Sequence, residues 1–189
     1  MLLDLEYLIE KYNLNIKGVI QIGAHYGQEY NLYKKLNINN LLMFEPVPET
    51  FAILKQNVDK SVRLENCALG SYNGNVEMFI ETANQGQSSS ILEPHIHLVQ
   101  YPHIQFNNKI TVPIRMLDEF IIEAPMFNML NIDTQGTELE VLRGGKEFLH
   151  YIDYIICEVN RDEVYKKCAQ VEEIDEFLAQ YKFERVCCH

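Results

Sequence analysis

The sequence predicts an α/β domain: a mainly parallel sheet, doubly wound into three layers with helices on both faces. Three observations predict it. Short apolar runs alternate with stretches at helical spacing almost throughout the chain, as successive βαβ units do. The runs at residues 19–22, 41–44 and 127–132 are apolar enough to be strands covered on both faces. Each run ends in a glycine or a carboxylate, namely Gly23, Glu45 and Asp133. Open α/β sheets bind ligands outside the carboxyl ends of their strands, so function as well as fold is legible here.

The elements follow in order. Leu2, Leu5, Leu8 and Ile9 recur at helical spacing, which makes residues 1–17 an N-terminal segment with an amphipathic helix reaching Tyr12. Residues 19–23 form a strand stopped by glycine, and 28–36 the helix after it. Residues 41–45 are a second strand, broken by Pro46 and Pro48, and Phe51, Ile53, Leu54 and Val58 mark a helix over 49–58. A third strand spans 62–69, Ser71-Tyr72-Asn73-Gly74 is a turn, and 76–81 alternates as a half-exposed strand.

Residues 82–108 break the pattern, with a small polar run at 83–90 and then His95, His97 and His103 among Pro94 and Pro102. A stretch this long with little periodicity reads as a functional lid. Strand character resumes at 110–114, helical character at 117–122, and 127–133 is a buried strand. A short helix over 137–142 is stopped by Gly144-Gly145, and a strand covers 154–159. A helix with an acidic face covers 171–181 and a last strand 183–188. No repeat or linker interrupts this order, so residues 1–189 read as one domain.

Bulk properties narrow the function. With 189 residues, 47% of them hydrophobic, the chain buries a full core without metal or disulfide staples. A net charge of −11 argues against a broad nucleic-acid or anionic-membrane surface. The five cysteines form no C-x-x-C pair, and no signal peptide or spanning apolar run is present, so a cytoplasmic protein without membrane insertion is expected.

The expected cofactor set begins at Gly23-Ala24-His25-Tyr26-Gly27. Glycine there relaxes φ and lets backbone N–H groups approach a ligand. The spacing is G-x-x-x-G, not the G-x-G-x-x-G of dinucleotide sites, which moves weight from NAD to S-adenosylmethionine. Glu45, at the end of the second strand, is placed to accept hydrogen bonds from both ribose hydroxyls. Gln21, Gly23, Ala24, His25 and Gly27 complete the set on one side, with Asn66 and Ala68 beside the adenine and Asp133 at the reacting end. The competing readings are a tight strand–helix turn without ligand and a solvated Glu45 favoured by a helix dipole.

Asp133 ends an apolar run, where a carboxylate is costly unless paired or used. Glu158 and Asn160 end the next strand in the same way, so Asp133, Glu158 and Asn160 are expected to converge as oxygen ligands suited to Mg²⁺. Otherwise Asp133 caps the next helix and Glu158 pairs with Arg161 or Arg143. His25 is a candidate general base, or else packs beside the cofactor. Ser88, Ser89, His95, His97 and His103 are candidate contacts to a polar substrate.

In these residues the chain resembles the FkbM-type methyltransferases. The resemblance rests on Gly23-Ala24-His25-Tyr26-Gly27, Phe44-Glu45-Pro46, Asn66-Cys67-Ala68-Leu69-Gly70, Ser88-Ser89-Ser90-Ile91-Leu92 and Met116-Leu117-Asp118. The block Ile132-Asp133-Thr134-Gln135-Gly136-Thr137-Glu138-Leu139-Glu140-Val141-Leu142 is its most specific part. It implies a class I, Rossmann-like methyltransferase fold using S-adenosylmethionine and methyl transfer to oxygen, often of a sugar hydroxyl. Two departures stand out. His25 replaces a small polar residue such as asparagine, and the antiparallel last strand that closes the family's sheet is missing. Either the sequence is shortened, the strand comes from a second subunit in a homodimer, or the domain is degenerate.

The expected activity is therefore O-methylation of a small hydroxylated acceptor, most plausibly a carbohydrate, with Asp133 as base or metal ligand. Two other readings compete: a degenerate methyltransferase-like domain that binds without turnover, and an NAD-dependent sugar oxidoreductase. The latter lacks the three-glycine fingerprint, and neither Tyr33-Lys34-Lys35 nor Tyr165-Lys166-Lys167 has its tyrosine-to-lysine spacing.

Overall fold

A computed structural model describes residues 4–96 and 103–187. Its frame is a five-stranded parallel sheet in the order β3-β2-β1-β7-β8. The strands are β1 (Gly18–Ile22), β2 (Asn40–Phe44), β3 (Arg63–Glu65), β7 (Met129–Ile132) and β8 (Tyr154–Cys157). In register, Val19 lies between Leu41 and Met129, and Ile22 between Phe44 and Ile132. The carboxyl ends of β1, β2 and β7 are therefore level.

Alternation along the pleat divides these runs between two cores. Ile20, Ile22, Leu42, Phe44, Leu130 and Ile132 face one side, packed with Leu139, Val141 and Leu142 of α4 (Glu138–Arg143) and Ile174 of α5 (Val171–Ala179). Val19, Leu41, Met43 and Met129 face the other, against Leu5 of α1 (Leu5–Tyr12), Tyr30 and Tyr33 of α2 (Tyr30–Lys35) and Leu54 of α3 (Pro48–Asn57). This is the three-layer, doubly wound arrangement the sequence predicts. Continuous apolar strands follow from it, because neither face of the sheet meets water.

Four details differ from the sequence reading. The expected strand at 62–69 is split: β3 stays in the main sheet, while β4 (Ala68–Leu69) leaves it. The corner is fixed by Asn66, whose Nδ2 donates to the carbonyls of Glu45 at 2.8 Å and Pro46 at 3.1 Å. The strand β4 joins a second sheet, order β4-β6-β5, with β5 (Gly74–Ile80) antiparallel to β6 (Asn108–Arg115). The helix expected at 117–122 is a 3₁₀ segment, Leu117–Met126, which contains Pro125 and is pinned by the Asp118 carboxylate accepting Phe148 N at 2.9 Å. Proline removes the donor a longer α-helix needs.

The expected last strand is absent over residues 183–187, and Cys188 lies outside the described residues. Lys182 takes a left-handed φ of 68°, and Phe183 N donates back to Leu178 O at 3.2 Å. The chain thus folds onto the end of α5 instead of running beside the sheet. Among the described residues β8 pairs with β7 alone and forms the sheet edge. Leu2 also lies outside the described residues; α1 starts at Leu5 with Asp4 as its cap. No described helix is long and apolar enough to cross a membrane.

Candidate functional site

A cleft of about 480 Å³ opens over the level ends of β1, β2 and β7. Gly23 makes the turn there with φ of 82°, and a Cβ on it would lie 1.8 Å from the carbonyl oxygen of Asp133. No other residue fits between the two strand ends. The amides of Gly23 and Ala24 both donate to Phe44 O, so the turn folds over the end of β2. Ala24 is buried, and Gly27 abuts α3, its Cβ position 2.8 Å from Leu54 Cδ1. These two pack the turn against the fold; Gly23 and His25 form cleft wall.

Glu45 sits on the floor, 5% exposed. Its Oε2 accepts His25 N and its Oε1 accepts Val47 N, each at 2.9 Å. Burial pushes its carboxyl up to about 7, against the pull of those two amides. Each oxygen keeps a lone pair for a further donor. Beside it, Phe44, Pro46, Val47, Ala68, Met78 and Ile91 form an apolar wall suited to a flat ring, while Asn66 lies behind the wall as the corner clip. Beneath, Gln21 Oε1 accepts Tyr33 Oη at 2.5 Å and Asn131 Nδ2 at 2.7 Å, a buried polar triad joining β1, β7 and α2.

At the other end Asp133 and Glu158 converge. Gln135 Nε2 donates to Asp133 Oδ1 at 2.8 Å and to Glu158 Oε2 at 2.7 Å. Burial, then the Asp133 carboxylate, push Glu158 up to about 9. Asn160 does not join them: it pairs with Gln170 and is not part of the cleft wall. Among the described residues no three His, Cys, Asp or Glu side chains assemble as a metal cage. The expected Asp133–Glu158–Asn160 ligand set is thus two carboxylates with an amide N–H between them, the position a cation would need.

The loop carrying Gln135 is held from several sides. Glu138, fully buried, accepts Thr134 N, Thr134 Oγ1 and Gly136 N on Oε1 at 2.9–3.1 Å. Among the described residues its Oε2 has no hydrogen-bond partner, and burial pushes its carboxyl up. Ser90 Oγ donates to Gln135 O at 2.7 Å, and Tyr165 Oη lies 2.9 Å from both Gln135 Oε1 and Ser88 O.

The first part of the segment after β5 forms one side of the cleft. Glu81, 2% exposed, organises its first turn by accepting the amides of Ala83, Asn84 and Gly86. Asn84, Gly86, Gln87, Ser88 and Ser89 thereby reach the cleft. His25 Nε2 contacts Gln85 O at 2.9 Å and its Nδ1 contacts Gln28 Nε2 at 2.8 Å, so both ring nitrogens are engaged. That leaves neither nitrogen for the base role expected of it. His95 is exposed and 3.5 Å from Glu163, His103 is exposed, and neither is part of the cleft wall. His97 lies outside the described residues.

Sequence reasoning missed Gln135, Glu138, Tyr165 and Glu81. Gln135 and Glu138 stand in the block around Asp133 that carries the resemblance, and Glu81 ends an expected strand in a carboxylate, which were usable signals; Tyr165 carried none.

Comparison with known proteins gives a consistent picture. A family model described as the methyltransferase FkbM domain matches residues 21–185. The chain is 28% identical over 175 residues to the 2-O-methyltransferase NoeI of Sinorhizobium fredii (strain NBRC 101917 / NGR234), covering 87% of this chain and 72% of that protein. It is 27% identical over 164 residues to Methyltransferase 1 of Beauveria bassiana (strain ARSEF 2860), covering 75% of this chain and 64% of that one. No solved structure matches.

Proposed function

The chain belongs to the FkbM methyltransferase family, and from that premise we propose that it is an S-adenosylmethionine-dependent O-methyltransferase acting on a hydroxyl of a small molecule, a sugar or glycan. The observation that carries this is the placement of Gly23, Glu45 and Asp133 around one cleft at the level ends of three adjacent strands. The residues fit the cofactor. Glu45 is a buried acceptor with lone pairs to spare for ribose hydroxyls, and the apolar wall beside it takes an adenine. The oxygen acceptor draws support from the 2-O-methyltransferase relative.

S-adenosylmethionine supplies a methyl group on a sulfonium, open to in-line displacement. The protein's part is to align the nucleophile and receive its proton. Asp133 is the base: the acceptor hydroxyl's proton would go to its carboxylate as the C–O bond forms and the methyl–sulfur bond breaks. Gln135 fixes the orientation of Asp133, and Glu158 holds its own proton at neutral pH beside it. The segment 82–108 is the lid, latched to the glycine turn through His25 and Gln85. Cys67, Cys157, Cys168 and Cys187 carry free thiols, in keeping with the cytoplasm as its place of work.

Isothermal titration with S-adenosylmethionine, S-adenosylhomocysteine and NAD tests this. Saturable binding of the first two, lost in Glu45→Ala, is expected. Binding of NAD alone points to the oxidoreductase, and no binding by folded protein points to a degenerate domain.

A further inference from the structure

We propose that the acceptor is a neutral or amino-bearing glycoside, with no phosphate, diphosphate or carboxylate near the hydroxyl that is methylated. This deepens the O-methyltransferase reading and rests on it. Three observations converge.

The first is the charge of the cleft. Among the described residues Glu29, Glu45, Asp133 and Glu158 form part of its wall, with Glu158 protonated and Glu45 partly so near neutral pH, and no lysine or arginine does. The segment 82–108 contains neither residue anywhere in its sequence. Nearby cations are committed elsewhere: Arg115 to Glu119 at 2.5 Å, and Lys166 to Glu93 at 2.7 Å.

The second is the fate of the backbone amides. Loops with converging N–H groups are the usual substitute for lysine and arginine in holding a phosphate. Two such groups border this cleft, and each is filled by a buried carboxylate of the protein itself. Glu138 takes the amides of Thr134 and Gly136; Glu81 takes those of Ala83, Asn84 and Gly86. A phosphate entering at either loop would meet amides already held by a carboxylate, with no lysine or arginine among the described wall residues to offset it.

The third is what the wall offers instead. Gln28, Asn84, Gln87, Ser88, Thr134 and Thr137 present amides and hydroxyls, which donate and accept in turn as polyols do. A sugar activated as a nucleotide diphosphate is therefore excluded. The reaction that supplies the substrate is a glycosyl transfer, which has already released the diphosphate before methylation.

The test has two parts. Protein saturated with S-adenosylhomocysteine is titrated with UDP-glucose, glucose 1-phosphate and glucuronate. Separately, labelled methyl from S-adenosylmethionine is followed into pools of neutral oligosaccharides, aminoglycosides and nucleotide sugars. No saturable binding of the three anions is expected. Label should favour the neutral or amino pool by at least about 30-fold, the discrimination one like-charge pair about 8 Å apart gives at an effective dielectric of about 20. Saturable binding of any of the anions, or label entering the nucleotide-sugar pool preferentially, overturns the proposal. Label in no pool, with S-adenosylhomocysteine bound, counts against O-methyl transfer itself, while the anion titration still decides the question of charge.

Discussion

Burial holds the Glu45 carboxyl at about 7 in the free protein, and this has a measurable consequence for cofactor binding. Ribose hydroxyls donate, so they favour the ionised carboxylate and bind only that form well. The ionised fraction rises from roughly 9% at pH 6 to roughly 91% at pH 8, and apparent affinity follows the competent fraction. S-adenosylhomocysteine should thus bind about tenfold tighter at pH 8 than at pH 6, releasing a proton near neutrality. Glu45→Gln removes the charge and leaves one of the amides of His25 and Val47 facing an NH₂ group. Losing charge-assisted hydrogen bonds costs about 1.5–3 kcal/mol each, so affinity should fall roughly 10- to 150-fold and lose its pH dependence. Folding responds with the opposite slope. A carboxyl raised from 4.5 to about 7 contributes stability in full below its unfolded pKa. That contribution, of order 3 kcal/mol, is lost as pH rises through about 7. The assay is calorimetric titration between pH 6 and 8 in buffers of different ionisation enthalpy. Wild-type affinity that is flat with pH, or a Glu45→Gln variant that binds like wild type, would refute the reasoning.

Four further outcomes are expected. Gly23→Ala places a Cβ 1.8 Å from Asp133 O at a φ of 82°; it should lower stability by more than about 3 kcal/mol, and an unchanged urea midpoint sinks the argument. Asp133→Asn should cut kcat by about 10²–10⁴-fold with S-adenosylhomocysteine affinity near wild type. Activity should also change above pH 9 as Glu158 loses its proton, and that limb should vanish in Glu158→Gln; an identical pH profile argues against the pair. Glu81→Ala leaves three lid amides without their acceptor, so limited proteolysis within 82–108 should accelerate while the urea midpoint of the sheet falls little.

The parts of the fold that were legible are those where one force dominates. Strands β1, β2 and β7 are buried on both faces, so their apolar runs announce them, and Gly23, Glu45 and Asp133 mark where they end. The second sheet was not legible, because Val62 to Leu69 reads as one run and only the Asn66 clip, a contact to a distant strand end, divides it. The expected strand at 183–188 rested on Phe183, Val186 and the cysteines after it, but the left-handed turn at Lys182 returns the chain to α5. In the site, residues that meet the cleft through their own strand end were found, whereas those acting through a bridging amide or a distant hydroxyl were not. Gln135 and Tyr165 belong to that second class: their roles exist only once β7, the lid and the loop before α5 are brought together.

The triad of Gln21, Tyr33 and Asn131 bears on how the chain reaches this state. A parallel strand that pairs one residue out of step turns every side chain to the opposite face. For most of β1 and β7 that exchange swaps one apolar residue for another, since both faces are covered. Gln21 and Asn131 are the exception, because a slip would strand their amides among aliphatic side chains and leave the Tyr33 hydroxyl alone, at about 1–3 kcal/mol for each group. Three polar side chains, two in the sheet and one on α2, thus favour the native alignment of the two strands over a shifted one.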